Sequence, residues 1–139
     1  MYFLKERKIE VIYSDNNFAK SNLLHEMTHH ATNSTLDNVP RWLSEGLADY
    51  ANFRSGKVIA GQVFPEMLKR IEKAFSDNTF INLEKLTAND DTFLNKESER
   101  LAYSESWSLV HYLVASQKLP KYMERFKQGF NKFFNVNII

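Results

Sequence analysis

The residues best suited to chemistry in this chain form the run His25-Glu26-Met27-Thr28-His29. On an α-helix, residues four apart lie on one face, so the imidazoles of His25 and His29 can converge on one ion. Glu26 is displaced by about 100° from His25, which lets its carboxylate reach a metal-bound water without ligating the metal. The spacing therefore predicts a divalent metal site with a carboxylate general base beside it.

A second run, WLSEGLADY over residues 42–50, supplies the ligand that such a site still lacks. A catalytic zinc takes three protein ligands and keeps one position open, so the third ligand comes from a separate segment. Glu45 and Asp49 are again four apart and share a helical face. We predict that Glu45 completes the metal site and that Asp49 accepts a hydrogen bond from a ligand imidazole, fixing its tautomer. Gly46 is expected to let the two helices approach closely.

The ligand set predicts one Zn²⁺ per chain, held by His25, His29 and Glu45. The chain has no cysteine, so any metal must be held by nitrogen and oxygen, and other divalent ions can enter such a set as well. The plainer alternative is that these residues are solvated side chains on amphipathic helices. His30 points about 100° away from His29, which favours an exposed or supporting role over ligation. His111 is interpreted as partly solvated packing, with a second donor to the transition state as the alternative.

Helical periodicity predicts the elements that position these residues. A strand is expected over residues 9–13, and a strand or an extended connection over residues 58–64. Helices are expected over residues 18–31, 40–53, 65–75, 83–86, 96–115 and from 120 onward. Asn38 is a plausible helix cap, and residues 87–95 are expected to form a polar loop. One strand cannot make a sheet. Residues 9–13 therefore pair with residues 58–64 or with residues 2–4, or part of the domain lies outside this chain.

Length and composition set the class of protein. A chain of 139 residues with 43% hydrophobic and 14% aromatic content supports one core, and we expect residues 1–139 to form a single domain, either whole or as a fragment of a longer protein. The formal charge of +1 does not indicate binding to nucleic acid or to an anionic membrane. Residues 1–15 lack an apolar run of signal-peptide or transmembrane length. The expected location is cytoplasmic by default, or extracellular if the natural protein is longer, and the oligomeric state is left open.

HEMTHH followed by WLSEGLADY resembles the gluzincin superfamily of thermolysin-like and aminopeptidase-like enzymes, and most closely its peptidase MA-like group. The resemblance extends to LAYSESWSLVHYL over residues 101–113, which is similar to the tyrosine-containing helix that follows the zinc site in that group. The aligned tyrosine of related aminopeptidases stabilises the oxyanion, so the resemblance implies that role for Tyr103. The alternative for Tyr103 is a core tyrosine that packs beside Trp107.

The resemblance implies a zinc-dependent peptidase with an α+β, predominantly helical fold, a gluzincin catalytic domain with a small or truncated N-terminal β portion. The spacing between His29 and Glu45 is a few residues shorter than in thermolysin or the aminopeptidases but suits the peptidase MA-like group. No Gly-Ala-Met-Glu-Asn segment precedes His25, so aminopeptidase activity is not supported.

Two functions follow. In the first, a peptide or protein substrate is hydrolysed by a metal-activated water with Glu26 as general base. In the second, the chain is a truncated or degenerate gluzincin that serves as a zinc-stabilised interaction module.

Overall fold

The computed structural model describes residues 2–3, 8–9, 17–54, 57–61 and 63–127 of the chain. Its helices are α1 (Asn17–Thr35), α2 (Arg41–Tyr50), α3 (Pro65–Ser76), α4 (Leu83–Ala88), α5 (Asp91–Leu94), α6 (Glu99–Ala115) and α7 (Leu119–Met123), followed by a 3₁₀ turn (Glu124–Phe126). Its strands are β1 (Tyr2–Phe3), β2 (Lys8–Ile9), β3 (Ala51–Arg54) and β4 (Lys57–Ala60). The fold is predominantly helical, as predicted. Among the described residues, no helix combines the length and the apolar character that crossing a membrane requires.

Helix α1 continues one turn beyond the predicted end at residue 31. The polar run Thr32-Asn33-Ser34-Thr35 was expected to stop it, but the hydroxyls of Ser34 and Thr35 donate to the carbonyls of His30 and Ala31, one turn earlier, at 2.7 and 2.9 Å. Hydroxyl side chains that bond to the carbonyl four residues back are compatible with continued helix. The expected stop at residue 31 was therefore wrong, because these residues satisfy their side chains within the helix.

Helix α2 ends at Tyr50, earlier than the predicted residue 53, and β3 begins at the next residue. Strand β3 pairs antiparallel with β4 in the register Ala51↔Ala60 to Arg54↔Lys57. The strand expected at residues 58–64 is thus confirmed only up to Ala60, and it pairs with the residues directly after α2. Pro40 caps α2 from an extended conformation, and Asn38, the predicted cap, instead lies at a positive φ of 52° in the preceding turn.

The two N-terminal strands answer part of the pairing question. Strand β1 pairs antiparallel with β2, matching Tyr2 to Ile9 and Phe3 to Lys8, so the expected pairing with residues 2–4 is confirmed where it is described. Residues 10–13 of the predicted strand lie outside the described residues. Within the described part of the chain, the strands form two separate two-stranded sheets.

The segment predicted as a polar loop at residues 87–95 contains the short helix α5. Its residue Phe93 is only 2% exposed and belongs to the main hydrophobic cluster, so the loop prediction was wrong there. Phe93 lies among mostly polar residues, and its side chain anchors the segment to α6. The cluster itself lies between α2 and α6; its buried members are Trp42, Leu43, Leu86, Phe93, Ala102, Val110 and Leu113.

Helix α2 packs against both α1 and α6, and Gly46 sets its distance from α6. A Cβ atom at Gly46 would lie 2.6 Å from the carbonyl oxygen of Ser106 and 2.8 Å from Cγ2 of Val110. Gly46 was expected to allow close packing against the histidine helix, but the atoms that it meets belong to α6. Close packing at Gly46 therefore positions α2 against α6, and not against α1 as predicted.

Candidate metal centre

Helices α1 and α2 bring His25, His29 and Glu45 together. The Nε2 atoms of His25 and His29 are 3.0 Å apart, and Oε2 of Glu45 lies 3.5 Å from the first and 3.3 Å from the second. The histidines are four residues apart on α1, so their rings stand one above the other with centroids separated by 4.7 Å. In the described part of the chain, these three residues form the one cluster of potential metal-ligating side chains.

The outer nitrogen of each imidazole contacts a polar residue of α2. Nδ1 of His25 lies 3.1 Å from Oδ1 of Asp49, and Nδ1 of His29 lies 2.8 Å from Oγ of Ser44. A carboxylate only accepts, so Nδ1 of His25 carries the hydrogen and donates it to Asp49. The Ser44 hydroxyl can accept the equivalent hydrogen from His29. Each imidazole then turns the lone pair of Nε2 toward the centre of the cluster.

The inner face of the cluster therefore gathers acceptor atoms that need a cation. Two imidazole lone pairs and a carboxylate oxygen, 3.0 to 3.5 Å apart, repel one another unless a positive charge lies between them. Two ligands bound about 2.0–2.1 Å from one tetrahedral zinc are themselves about 3.3–3.4 Å apart. The donor set and its spacings fit a zinc ion, with His25, His29 and Glu45 as the residues that would hold it.

Without a metal, a proton takes the place of the cation. Burial lowers the pKa of His25, but the hydrogen bonds to Asp49 and Glu45 outweigh burial and raise this pKa from 6.5 to about 9. Burial likewise raises the pKa of Glu45, but hydrogen bonds from His25 and His29 prevail and lower it from 4.5 to about 2. The metal-free cluster is thus an ion pair between a protonated His25 and an ionised Glu45.

The charges of Glu45 and Arg41 both affect the hydroxyl of Tyr103, on α6. Burial raises the pKa of the Tyr103 hydroxyl, the negative charge of Glu45 raises it further, and Arg41 opposes both. Tyr103 packs against the main hydrophobic cluster, as the core alternative expects. Its ring lies edge-on against Phe93 with centroids 5.4 Å apart, whereas the described ring neighbours of Trp107 are Phe64 and His111.

Glu26 directly follows His25 in α1 and is half-buried. It is not one of the three residues of the cluster. His30 also lies outside the cluster and is half-buried, so it is not a ligand, as predicted, and it is not fully exposed.

His111 is engaged away from the metal centre. Its Nε2 donates to the carbonyl oxygen of Gly61 at 2.8 Å, at the end of the β3–β4 hairpin. Its ring lies between those of Tyr50 and Trp107, with centroid distances of 5.2 and 5.1 Å. This geometry favours the packing interpretation over a donor to the transition state.

Sequence reasoning missed two residues that contact the cluster. Ser44 could have been found from the rule that each ligating imidazole needs a partner for its second nitrogen, because α2 offers few other polar side chains next to Glu45. Arg41, whose Nε lies 3.6 Å from Oε1 of Glu45, is also four residues before that ligand. The same spacing rule that identified Asp49 applies to it in the opposite direction.

Comparison with known proteins adds one finding to this geometry. A family model described as the Peptidase MA superfamily matches residues 8–135, which include both metal-site helices and Tyr103. Neither the curated proteins nor the solved structures gave a match.

Proposed function

Because this chain belongs to the Peptidase MA superfamily, we propose that it is a zinc-dependent peptidase that hydrolyses peptide bonds in a peptide or protein substrate. The observation that carries the proposal is the convergence of two imidazole nitrogens and one carboxylate oxygen to within 3.0–3.5 Å of one another. Three protein ligands with a fourth position left open is the arrangement of catalytic rather than structural zinc. The supporting contacts from Asp49 and Ser44 hold both imidazoles in the orientation that ligation requires.

In the proposed mechanism, Glu26 is the general base. A zinc ion bound to His25, His29 and Glu45 would supply Lewis-acid chemistry, acidifying water and polarising the scissile carbonyl. Glu26 takes the proton of the attacking water and later delivers it to the leaving amine. Glu26 directly follows the ligand His25 on α1 and is not itself one of the three residues of the cluster.

Tyr103 is proposed to stabilise the charge that develops on the carbonyl oxygen. The pKa of its hydroxyl is raised by burial and by Glu45, so the phenol keeps its proton at neutral pH and can donate it in a hydrogen bond. A donor aimed at a developing oxyanion in a water-poor site contributes several kcal/mol, or roughly two to three powers of ten in rate.

The proposal is tested with Glu26→Gln. Metal content is measured first, and one zinc per chain is expected in both the wild type and the variant. The wild type should cleave an unstructured protein such as denatured casein, and Glu26→Gln should retain zinc but lose cleavage. Glu72→Gln, the same change on the exposed face of α3, serves as the matched control and should cleave like the wild type.

The interaction-module alternative predicts a different outcome. The described strands form only two-stranded sheets, which is little β structure for holding an extended substrate. If the chain is such a module, the wild type and its variants should bind zinc equally well, and none of them should show zinc-dependent cleavage. Absence of zinc from the purified wild-type protein, and no uptake when zinc is added, would refute both functions.

A further inference from the structure

Arg41 makes two contacts around the ligand Glu45. Its Nε lies 3.6 Å from Oε1 of Glu45, one turn further along α2. Its Cζ lies over the ring of Phe93 at 5.2 Å from the centroid. The side chain, 31% exposed, is therefore held between a ligand of the cluster and an aromatic face. Its charge also opposes the rise that burial causes in the pKa of the Tyr103 hydroxyl.

The two oxygens of Glu45 consequently have different partners. Oε2 is the atom that faces both imidazoles, at 3.5 and 3.3 Å, while Oε1 faces Arg41. A carboxylate that binds a metal through both oxygens would occupy the position that a catalytic zinc keeps open for water. A cation held beside Oε1 gives that oxygen a partner other than the metal.

We infer that Arg41 is a positioning residue that makes Glu45 a one-oxygen ligand. The inference rests on the proposed metal site and adds a residue to it. A planar guanidinium suits the task because it can lie flat on Phe93 while it donates to groups at its edge. A lysine offers a compact charge without that flat surface.

A simple charge argument predicts the opposite effect of Arg41 on zinc binding. A positive side chain near a metal cation repels it, so removing Arg41 would then strengthen zinc binding. If Arg41 acts by positioning Glu45, its removal weakens zinc binding instead. Partners of metal ligands typically contribute tenfold to a hundredfold in metal affinity. The direction of the change therefore separates the two arguments.

The test compares Arg41→Met with Arg100→Met, which removes the same charge from an exposed position of α6. Zinc affinity is measured by competition with a chromophoric chelator, and the melting temperature of the metal-free protein reports whether each variant is folded. We expect Arg41→Met to bind zinc at least tenfold more weakly than the wild type and Arg100→Met to bind it equally well. Arg41→Lys should fall between Arg41→Met and the wild type, and it provides the measurement if Arg41→Met does not fold.

The visible absorption of the cobalt(II)-substituted protein gives a readout that does not depend on activity. Four-coordinate cobalt absorbs much more strongly than five-coordinate cobalt, so Arg41→Met should reduce the intensity if Glu45 turns its second oxygen to the metal. Unchanged or tighter zinc binding together with an unchanged cobalt spectrum would overturn the role of Arg41 while leaving the metal site intact. Failure of the wild type to bind either metal would instead overturn the metal site itself.

Discussion

The contact between Gly46 and α6 predicts the effect of Gly46→Ala, both in sign and in size. Alanine at this position places its Cβ 2.6 Å from the Ser106 carbonyl oxygen and 2.8 Å from Cγ2 of Val110. Overpacking of this kind costs about 1–3 kcal/mol, whereas replacing a helical glycine by alanine otherwise gains about 0.5–1 kcal/mol. The net expectation is a loss of about 1–2 kcal/mol in the free energy of unfolding. For a chain of this length, that loss lowers the melting temperature by about 3–7 °C.

The assay is urea unfolding of the metal-free protein, followed by zinc affinity for the folded variant. Glu45 is the neighbour of Gly46, so moving α2 away from α6 should also weaken zinc binding. In a double-mutant cycle, Gly46→Ala should cost less in a Val110→Ala background than in the wild type, but part of its cost should remain, because the carbonyl of Ser106 belongs to the backbone and cannot be trimmed. A higher free energy of unfolding for Gly46→Ala, as helix propensity alone predicts, would refute the packing of α2 on α6 described here.

Three further predictions concern the metal site. Tyr103→Phe should lower kcat by roughly two to three powers of ten with little change in KM; unchanged steady-state kinetics would exclude a role for the hydroxyl. Asp49→Ala should weaken zinc binding tenfold to a hundredfold in chelator competition, and an unaltered affinity would show that its contact with His25 does not support ligation. The metal-free protein should be most stable between about pH 4.5 and 6.5. The raised pKa of His25 contributes stability below 6.5 that is lost as the pH rises through about 9, and the lowered pKa of Glu45 contributes stability above 4.5 that is lost as the pH falls through about 2. Urea midpoints that stay constant from pH 6.5 to 9 would contradict the assignment to His25.

The metal site could be located from the sequence because its geometry is local. A spacing of four residues fixes a shared helical face wherever the helix lies, so His25 with His29, and Glu45 with Asp49, required no knowledge of the fold. Bringing the two pairs together needed only a short connection between the helices. The family resemblance, now supported by the match over residues 8–135, rested on the same residues.

Features that depend on neighbours distant in sequence could not be predicted in this way. The partner of Gly46 is a carbonyl 60 residues later, and no periodicity in either helix encodes that meeting. Phe93 was missed because the adjacent apolar pair Phe93 and Leu94 in a polar segment has no periodic pattern, although the burial of Phe93 decides where α5 lies. The end of α2 at Tyr50 was missed because residues 51–53 continue an apolar pattern that also suits a strand.

Among the described residues, the polar groups seen in contact with the two imidazoles, apart from the imidazoles themselves, lie on α2, a helix of ten residues. One short helix therefore carries the ligand Glu45, the hydrogen-bond partners of both imidazoles and Arg41, and α1 carries the two histidines. The geometry of the metal centre is therefore set by how α2 lies against α1, rather than by the backbone torsions of several separate loops. If α2 moves away from α1 and α6, all of these distances change together. The metal centre should therefore form and be lost in a single step, instead of one ligand at a time.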